Sequence, residues 1–228
     1  MYHPDRYPLR AVFFDLDGTL VDSREDVLEA FQHAFGRLGV ETPPPERLQE
    51  LIGIRLEDCF IPFLGDDEET CRKAARHFRQ YYQKHFMDHT RPFSGIPRAL
   101  RELSARYLLG IASMKKGRYA RELVRSCGWL STFERVIGSE EGYPPKPDPT
   151  MLQALCRTFE FPPEHVVYVG DTQIDLETAS AASIRYYHAD WGYGRLAPDP
   201  GKALGEVLQQ PSDLIRVFVD NLKQPEQD

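Results

Sequence analysis

Short apolar runs alternate with amphipathic segments through most of the chain. Residues 11–15 begin with four consecutive apolar side chains, a length that suits a strand and is too short for a buried helix. A run that is apolar on both faces is typical of a strand at the centre of a parallel sheet covered by helices. The runs with this pattern are residues 11–15, 107–113, 135–138, 165–169 and 184–187.

The segments between these runs have the periodicity of helices. Residues 97–106 place Ala99, Leu100 and Leu103 on one face, and residues 119–127 end before Gly128, a helix stop signal. A further helix is predicted from Pro149, with Asp148 as its N-cap. Strands that alternate with helices predict an α/β fold with a parallel sheet and right-handed crossovers.

One stretch interrupts this alternation directly after the first strand. Residues 22–90 contain no convincing strand, and Thr42-Pro-Pro-Pro45 and Gly65-Asp-Asp67 divide them. Their apolar positions recur with the helical period of 3.6 residues, which predicts an inserted helical segment. These positions are Val27, Phe31, Ala34, Phe35 and Leu38, followed by Cys71, Ala74, Ala75, Phe78, Tyr81, Tyr82 and Phe86.

Composition narrows the possible partners and location. The 228 residues have a formal net charge of −7, which argues against nucleic acid as the main partner, because phosphate-backbone binding needs clustered Lys and Arg. No apolar run approaches the ~20 residues of a membrane-spanning helix, and residues 1–10 lack the apolar centre of a signal peptide. We therefore expect a cytoplasmic protein without a membrane partner. The cysteines are predicted to be buried or half-buried thiols, since Cys59, Cys71, Cys127 and Cys156 have no paired spacing.

Two carboxylates follow the first predicted strand in the run Asp15-Leu-Asp-Gly-Thr19. Gly18 permits a sharp turn, so Asp17 can reach the same substrate as Asp15. An acidic turn after a strand is common when an Asp-x-Asp stands alone. The full string after four apolar residues favours chemistry instead, with a cation that makes the target of the carboxylate electrophilic.

Three further polar features are placed at the sheet edge where ligands bind in open parallel sheets. Ser113 ends a predicted strand, and its hydroxyl can donate a hydrogen bond to a phosphate oxygen. Lys146 lies between prolines in a loop and offers a point charge for a phosphate. Asp171 and Asp175 lie one helical turn apart if a helix begins near Thr172, so their carboxylates point the same way.

The acidic residues together predict a metal site. Carboxylates of Asp171 and Asp175 that converge with Asp15 repel one another strongly unless a divalent cation lies among them. Oxygen ligands without His or Cys suit Mg²⁺, which keeps several of its waters.

These motifs resemble those of the haloacid dehalogenase-like (HAD) superfamily, in its phosphoglycolate phosphatase-like branch. The run from Asp15 to Ser23 resembles the first motif, and Ser113 with Lys115 resembles the second. Lys-Pro-Asp-Pro from Lys146 resembles the third motif, and Gly170-Asp-Thr-Gln-Ile-Asp175 resembles the fourth. The four occur in the order of that superfamily.

The resemblance implies a Rossmann-like parallel-sheet core with an inserted all-helical cap. The expected core comprises residues 1–21 and 91–228, and the expected cap residues 22–90. The implied activity is Mg²⁺-dependent hydrolysis of a small phosphorylated metabolite, of which phosphoglycolate is the first suggestion, through an aspartyl-phosphate. A monomer or homodimer is expected.

The resemblance also implies residue roles. Asp15 is the implied nucleophile, Asp17 the general acid and base, and Ser113 and Lys146 hold the phosphate. Asp175 is expected to orient metal waters or Lys146, which is also expected to precede a cis peptide bond to Pro147. Implied substrate-binding residues are Leu16, Thr19, Met114, Lys115 and Arg55, and implied metal ligands are Asp15, Asp17 through its main-chain carbonyl, Asp171 and Asp175.

Several alternatives stay open on the sequence. A dehalogenase or a phosphonate-cleaving relative would lack Asp17, because neither protonates an alkoxide. A sugar-phosphate mutase of this kind carries a His where this chain has Val27. An inorganic pyrophosphatase of the same branch is harder to exclude, whereas the presence of all the motif residues argues against a catalytically silent phospho-ligand sensor.

Overall fold

The computed structural model describes residues 8–197 and 203–220. A six-stranded sheet forms its centre, and each neighbouring pair of strands in it is parallel. Two short strands pair antiparallel in a separate ribbon. The strands are β1 (Ala11–Phe14), β2 (Val21–Asp22), β3 (Arg91–Pro92), β4 (Leu108–Lys116), β5 (Arg135–Ser139), β6 (Val166–Gly170), β7 (Arg185–Ala189) and β8 (Leu204–Leu208).

The strand order of the sheet is β5-β4-β1-β6-β7-β8. The chain builds outward from β1 to β5, returns to the other side of β1 and continues outward to β8. This is the order of a doubly wound Rossmann fold, whose switch point lies between β1 and β6. The predicted α/β fold with a Rossmann-like parallel sheet is therefore confirmed.

The five predicted core strands are all present, with small shifts at their ends. β4 continues past Ser113 to Lys116, and its pairing with β5 shifts register between Ala112 and Lys116. The edge strand β8 was missed, because its sequence Leu-Gly-Glu-Val-Leu combines Gly205 and Glu206 with mostly half-buried positions. Such a strand gives almost no two-residue alternation to detect.

Both faces of the sheet are buried, as the apolar strands require. In β1, Val12 and Phe14 join a hydrophobic cluster on one face, whereas Ala11 and Phe13 join a cluster on the other. This alternation follows from the two-residue period of a strand. Asp15 is thus the first residue beyond a strand that is fully buried on both sides.

The helices cover the sheet and form the insert. The predicted N-cap of the helix after Asp148 was wrong, because the helix begins at Thr150 with Pro149 as its N-cap. Asp148 still accepts a hydrogen bond from the Thr150 N–H at 2.8 Å. The helices are α1 (Arg24–Leu38), α2 (Pro45–Gln49), α3 (Ile61–Leu64), α4 (Glu68–His85), α5 (Ile96–Ser104), α6 (Gly117–Ser126), α7 (Thr150–Phe159), α8 (Gln173–Ala181) and α9 (Asp213–Ile215).

The insert contains α1 to α4 and is connected to the core by the β2–β3 ribbon. Phe31 of α1 packs against Phe78 of α4, with ring centroids 4.8 Å apart, so the two predicted apolar stripes face each other. Buried Asp26 of α1 accepts hydrogen bonds from the N–H groups of His89 and Thr90, at 2.8 and 2.9 Å. These bonds tie the two ends of the insert together.

Candidate active site

Asp15 and Lys146 form a buried ion pair at the carboxyl end of β1. The Asp15 N–H donates to the Val169 carbonyl at 2.8 Å, which fixes its backbone beside β6. Lys146 Nζ donates to Asp15 Oδ1 at 2.7 Å, Asp175 Oδ1 at 2.7 Å and the Tyr168 hydroxyl at 2.6 Å. An ammonium has three donors, so each proton of Lys146 has one acceptor. The Lys146–Pro147 peptide bond is cis, as predicted.

The predicted acidic residues converge. Asp15, Asp171 and Asp175 each offer an oxygen, and these oxygens lie within 4.8 Å of one another. Burial raises the pKa of Asp15 to about 7, with Lys146 opposing and Asp175 adding to that rise. Burial and the charges of Asp175 and Asp15 raise the pKa of Asp171 well above its usual value.

This crowding fits a divalent cation. Among these three buried carboxylates lies one ammonium group, that of Lys146. Net negative charge therefore remains, and its burial is unfavourable. A hard cation held by oxygen ligands would compensate that charge, and an all-oxygen donor set suits Mg²⁺.

Asp171 is held by a loop that was not singled out in the sequence. Its Oδ1 accepts from the Thr19 hydroxyl at 2.9 Å, and its Oδ2 accepts from the N–H groups of Tyr193 and Gly194 at 2.9 and 3.4 Å. Gly18 has a φ of +82°, and a Cβ there would lie 2.2 Å from Asp171 Oδ2. Glycine is therefore required for the turn after Asp15, as predicted, and also for room beside Asp171.

The Asp175 carboxylate is saturated with donors. Its Oδ1 accepts from Lys146 and from the Tyr168 hydroxyl at 3.0 Å, and its Oδ2 accepts from the Thr172 N–H and hydroxyl at 3.1 and 2.6 Å. Burial acts to raise the pKa of Asp175, but the Lys146 charge and hydrogen bonds outweigh it and hold that pKa below its usual value. A carboxylate has about four lone-pair sites, so this geometry suits a residue that orients Lys146.

Asp17 lies between the core and the insert. Its Oδ1 accepts from the Ser23 hydroxyl at 2.6 Å and from Lys115 Nζ at 2.9 Å. Lys115 Nζ also donates to the hydroxyl of Tyr82 in α4. Burial acts to lower the pKa of Lys115, but the negative charge of Asp17 and the interactions with Tyr82 and Asp17 together outweigh burial and raise that pKa. Lys115 is therefore charged at neutral pH and links Asp17 to the insert.

Ser113 and Met114 lie within β4 and line the cavity. The buried Ser113 hydroxyl accepts from the Lys115 N–H at 3.2 Å. Met114 Sδ accepts from the Lys146 N–H at 3.3 Å. The structure thus brings the second and third sequence motifs into direct contact.

Three predicted substrate-binding residues, Leu16, Thr19 and Arg55, are not placed in the cavity in the way that Met114 and Lys115 are. The side chains of Leu16 and Thr19 are fully buried and do not line the cavity; the Thr19 hydroxyl is directed to Asp171 instead. Arg55 lines the cavity, but its side chain is 59% exposed and lies 3.5 Å from Glu57 and 3.8 Å from Asp58.

The cavity lies between the sheet edge and the insert. Its volume is about 420 Å³. Its core side contains the catalytic candidates, and its other side is formed by α1, α4 and the loop between α2 and α3. Polar and catalytic candidates on the core side include Asp15, Asp17, Ser113, Met114, Lys115, Lys146, Thr172 and Asp175.

Several contributors were missed in the sequence. Tyr168 lies in a buried strand, where it is indistinguishable from a core residue, and Tyr82 lies on the apolar stripe of α4. The loop Trp191-Gly-Tyr-Gly194 directly follows β7, and two glycines after a strand are a signal that could have been used. Trp191 Nε1 donates to the Thr19 carbonyl at 3.0 Å, which holds this loop against the turn after Asp15.

Within residues 8–197 and 203–220, no helix combines the length and the apolar character needed to cross a bilayer. Cys59, Cys71 and Cys156 are buried free thiols, and Cys127 is a half-buried one, as predicted.

Comparison with known proteins extends over most of the chain. A 5'-nucleotidase of Pseudomonas aeruginosa is 33% identical over 190 residues, which is 83% of this chain and 85% of that protein. A phosphoglycolate phosphatase of Aquifex aeolicus is 28% identical over 222 residues, covering 94% of this chain and 99% of that protein. A solved haloacid dehalogenase-like hydrolase from Streptococcus pneumoniae superposes with a TM-score of 0.85 at 28% identity, covering 92% of this chain and 98% of that one.

The family profile described as haloacid dehalogenase-like hydrolase matches residues 12–189. That range runs from β1 through β7 and includes Asp15, Ser113, Lys146 and Asp171. With these relatives, the match places the chain among the haloacid dehalogenase-like hydrolases, as one of their phosphatases.

Proposed function

We propose that this chain is a Mg²⁺-dependent phosphatase that hydrolyses a small phosphorylated metabolite through an aspartyl-phosphate on Asp15. The observation that carries the proposal is that Asp15 and Asp17 face one cavity, in which Lys146 and the acidic cluster surround Asp15. A nucleophile, an acid and a cation are thereby available to one phosphate group.

The residues have distinct tasks in this proposal. Asp15 Oδ2 attacks phosphorus, while Lys146 holds Oδ1 in place. Asp17 protonates the leaving alcohol and then accepts a proton from the water that hydrolyses the intermediate, so one residue serves both steps. The hydroxyl of Ser113 and the N–H group of Met114 bind phosphate oxygens.

The metal fits the donor set described above. Asp15, Asp171 and the main-chain carbonyl of Asp17 would hold Mg²⁺, with Asp175 in support through Lys146. When bound, Mg²⁺ supplies charge neutralisation for the phosphate and for the clustered carboxylates. Thr19 and the Tyr193 N–H orient Asp171 for this role.

The insert, residues 22–90, has the role of a cap in this proposal. Its α4 reaches the core through the contact of Tyr82 with Lys115, and its loop residues 51–57 line the cavity. Such a cap excludes bulk water and selects the leaving group. The names of the relatives, phosphoglycolate phosphatase and 5'-nucleotidase, suggest two substrate classes for this side of the cavity.

The first test replaces the nucleophile. Asp15→Asn retains an oxygen acceptor for Lys146 and removes the nucleophilic charge, so we expect a folded protein that releases no phosphate from para-nitrophenyl phosphate in Mg²⁺. Chelation with EDTA should abolish wild-type turnover, and added Mg²⁺ should restore it. Turnover by Asp15→Asn at the wild-type rate would refute the proposed mechanism, and binding without turnover in the wild type would identify a sensor.

A further inference from the structure

The far side of the cavity is built mainly from apolar and aromatic side chains of the insert. Cavities of roughly 300–1,000 Å³ hold ligands well beyond the size of a phosphate, and the volume here is about 420 Å³. A two-carbon acid such as glycolate would leave much of this wall without a contact. The apolar wall includes Val27, Phe31, Leu51, Ile52, Phe78 and Tyr82 of the insert, and Tyr119 of α6 and Ile174 of α8 add to it from the core.

The apolar wall extends up to the place where the leaving group would lie. Tyr82 contacts Lys115, which pairs with Asp17, so this end of α4 lies beside the residue that protonates the alcohol. Phe78 is one turn earlier on α4, a rise of about 6 Å, and stacks on Tyr82 with ring centroids 5.4 Å apart. An alcohol that leaves Asp17 toward the insert therefore passes along two aromatic rings.

The cations around this wall already have carboxylate partners. Arg79 Nη2 contacts Glu57 Oε1 closely, and Arg55 Nε lies 3.5 Å from Glu57 Oε2. At the core rim, Lys116 Nζ lies 2.7 Å from Glu140 Oε1. A carboxylate on the substrate would have to compete with these side chains for the same cations.

Glu57 also places negative charge on this side of the cavity. Burial acts to raise the pKa of Glu57, but the hydrogen bond from Arg79, a backbone hydrogen bond and the charges of Arg79 and Arg55 together outweigh burial, so that pKa is lowered. Glu57 is thus a carboxylate at neutral pH. Its charge offsets the charges of Arg79 and Arg55, so these cations attract an anionic leaving group less strongly than unpaired cations would.

We propose that the substrate is the phosphate ester of an uncharged alcohol with an aromatic or apolar face, which stacks on the wall formed by Phe78 and Tyr82. This rests on the proposed phosphatase function and defines its substrate class.

The test compares three esters on the wild-type protein with Mg²⁺. A nucleoside 5'-monophosphate has an uncharged body with an aromatic face, glucose 6-phosphate is uncharged and polar, and phosphoglycolate is anionic. Since burying an aromatic group contributes roughly 1.5–3 kcal/mol, kcat/KM for the nucleotide should exceed that of either other ester by at least about tenfold. An equal or higher kcat/KM for phosphoglycolate or glucose 6-phosphate overturns the inference.

A charge variant tests the electrostatic part separately. Glu57→Gln leaves Arg79 and Arg55 without the carboxylate that offsets their charge, so kcat/KM for phosphoglycolate should rise roughly tenfold, with little change for the nucleotide. The matched control is Glu41→Gln, the same change at an exposed position of the insert that does not line the cavity, and it should alter neither value. An unchanged phosphoglycolate value in folded Glu57→Gln contradicts the inference.

Failure of the proposed function would give a different result. In that case no ester would be hydrolysed, para-nitrophenyl phosphate included. Hydrolysis of para-nitrophenyl phosphate with phosphoglycolate as the best metabolite would keep the phosphatase and refute only the substrate class.

Discussion

The charged side chains on the two sides of the cavity are held in place by different interactions. On the core side, Lys146 is almost fully buried and has an acceptor for each of its protons. On the insert side, the side chain of Arg55 is 59% exposed, and its partners lie at 3.5 and 3.8 Å. Buried, fully satisfied hydrogen bonds fix one geometry, whereas exposed ion pairs contribute little and rearrange easily.

This difference separates chemistry from selection. The core side carries charges whose positions are set by strand ends and repeated hydrogen bonds, as catalysis of phosphoryl transfer requires. The insert side is a packed apolar wall with adjustable charges at its margin. We therefore expect substitutions on the core side to alter kcat for every ester, and substitutions on the insert side to alter the preference among esters.

Asp17→Asn gives the largest effect expected in this comparison. General acid and base catalysis contributes about 10² to 10⁴-fold, so kcat should fall by that factor for all esters. Attack by Asp15 can still occur, and hydrolysis of the intermediate is slowed, so phosphoprotein should accumulate after acid quenching of a reaction with labelled ester. Asp22→Asn is the control, since Asp22 is in the same connecting segment but does not line the cavity. Equal losses in both variants would contradict the assignment.

Lys146→Met should have the next largest effect. The change leaves Asp15 and Asp175 buried without their shared cation, and loss of one electrostatic stabiliser costs about 10² to 10³-fold in kcat. Leaving buried charges unpaired also lowers the free energy of unfolding, by about 3–5 kcal/mol, which urea denaturation would measure. Lys116→Met, at the rim of the same cavity, is the control and should retain stability and most of kcat for uncharged esters. A Lys146 variant as stable and active as this control would contradict the claim that buried charge pairs on the core side determine kcat and stability.

Tyr82→Phe should have the smallest effect and reports on the junction between the two sides. It removes the hydroxyl that contacts Lys115 and keeps the ring of the apolar wall. A net hydrogen bond is worth about 1 kcal/mol, so kcat should fall about fivefold for alkyl esters, with KM nearly unchanged. Because para-nitrophenol leaves without much help from an acid, para-nitrophenyl phosphate should be affected less.

The neighbouring tyrosine provides the control for this position. Tyr81→Phe is the same change one residue earlier, where the hydroxyl donates to Glu29 at 3.1 Å, away from the cavity. It should leave kcat unchanged for both kinds of ester. A uniform loss for alkyl and aryl esters in Tyr82→Phe would indicate general structural damage rather than positioning of Asp17.

Much of the core could be predicted because its signals are local. The apolar strands ending at Asp15 and before Asp171 define sheet edges, and the helix with Thr172 as N-cap directs Asp175 back toward Asp171 as expected. Strand β8 and the contacts of the loop around Tyr193 could not be predicted in this way, although the two glycines of that loop are a local signal for a turn. Their roles depend on neighbours distant in sequence, such as the 170-residue separation between Ser23 and Tyr193, whose hydroxyl accepts from the Ser23 N–H at 2.6 Å.

The sequence by itself determined the fold class, the helical insert and the set of polar residues at the strand ends, because periodicity and turn chemistry act over a few neighbouring residues. Only the tertiary structure decided which partners each charge has. Lys115 pairs with Asp17 and contacts Tyr82 of the insert, and Tyr168 supports Lys146 from inside a strand. Such pairings depend on how strands and helices pack in space, and burial strengthens them, so no local pattern in the sequence specifies them.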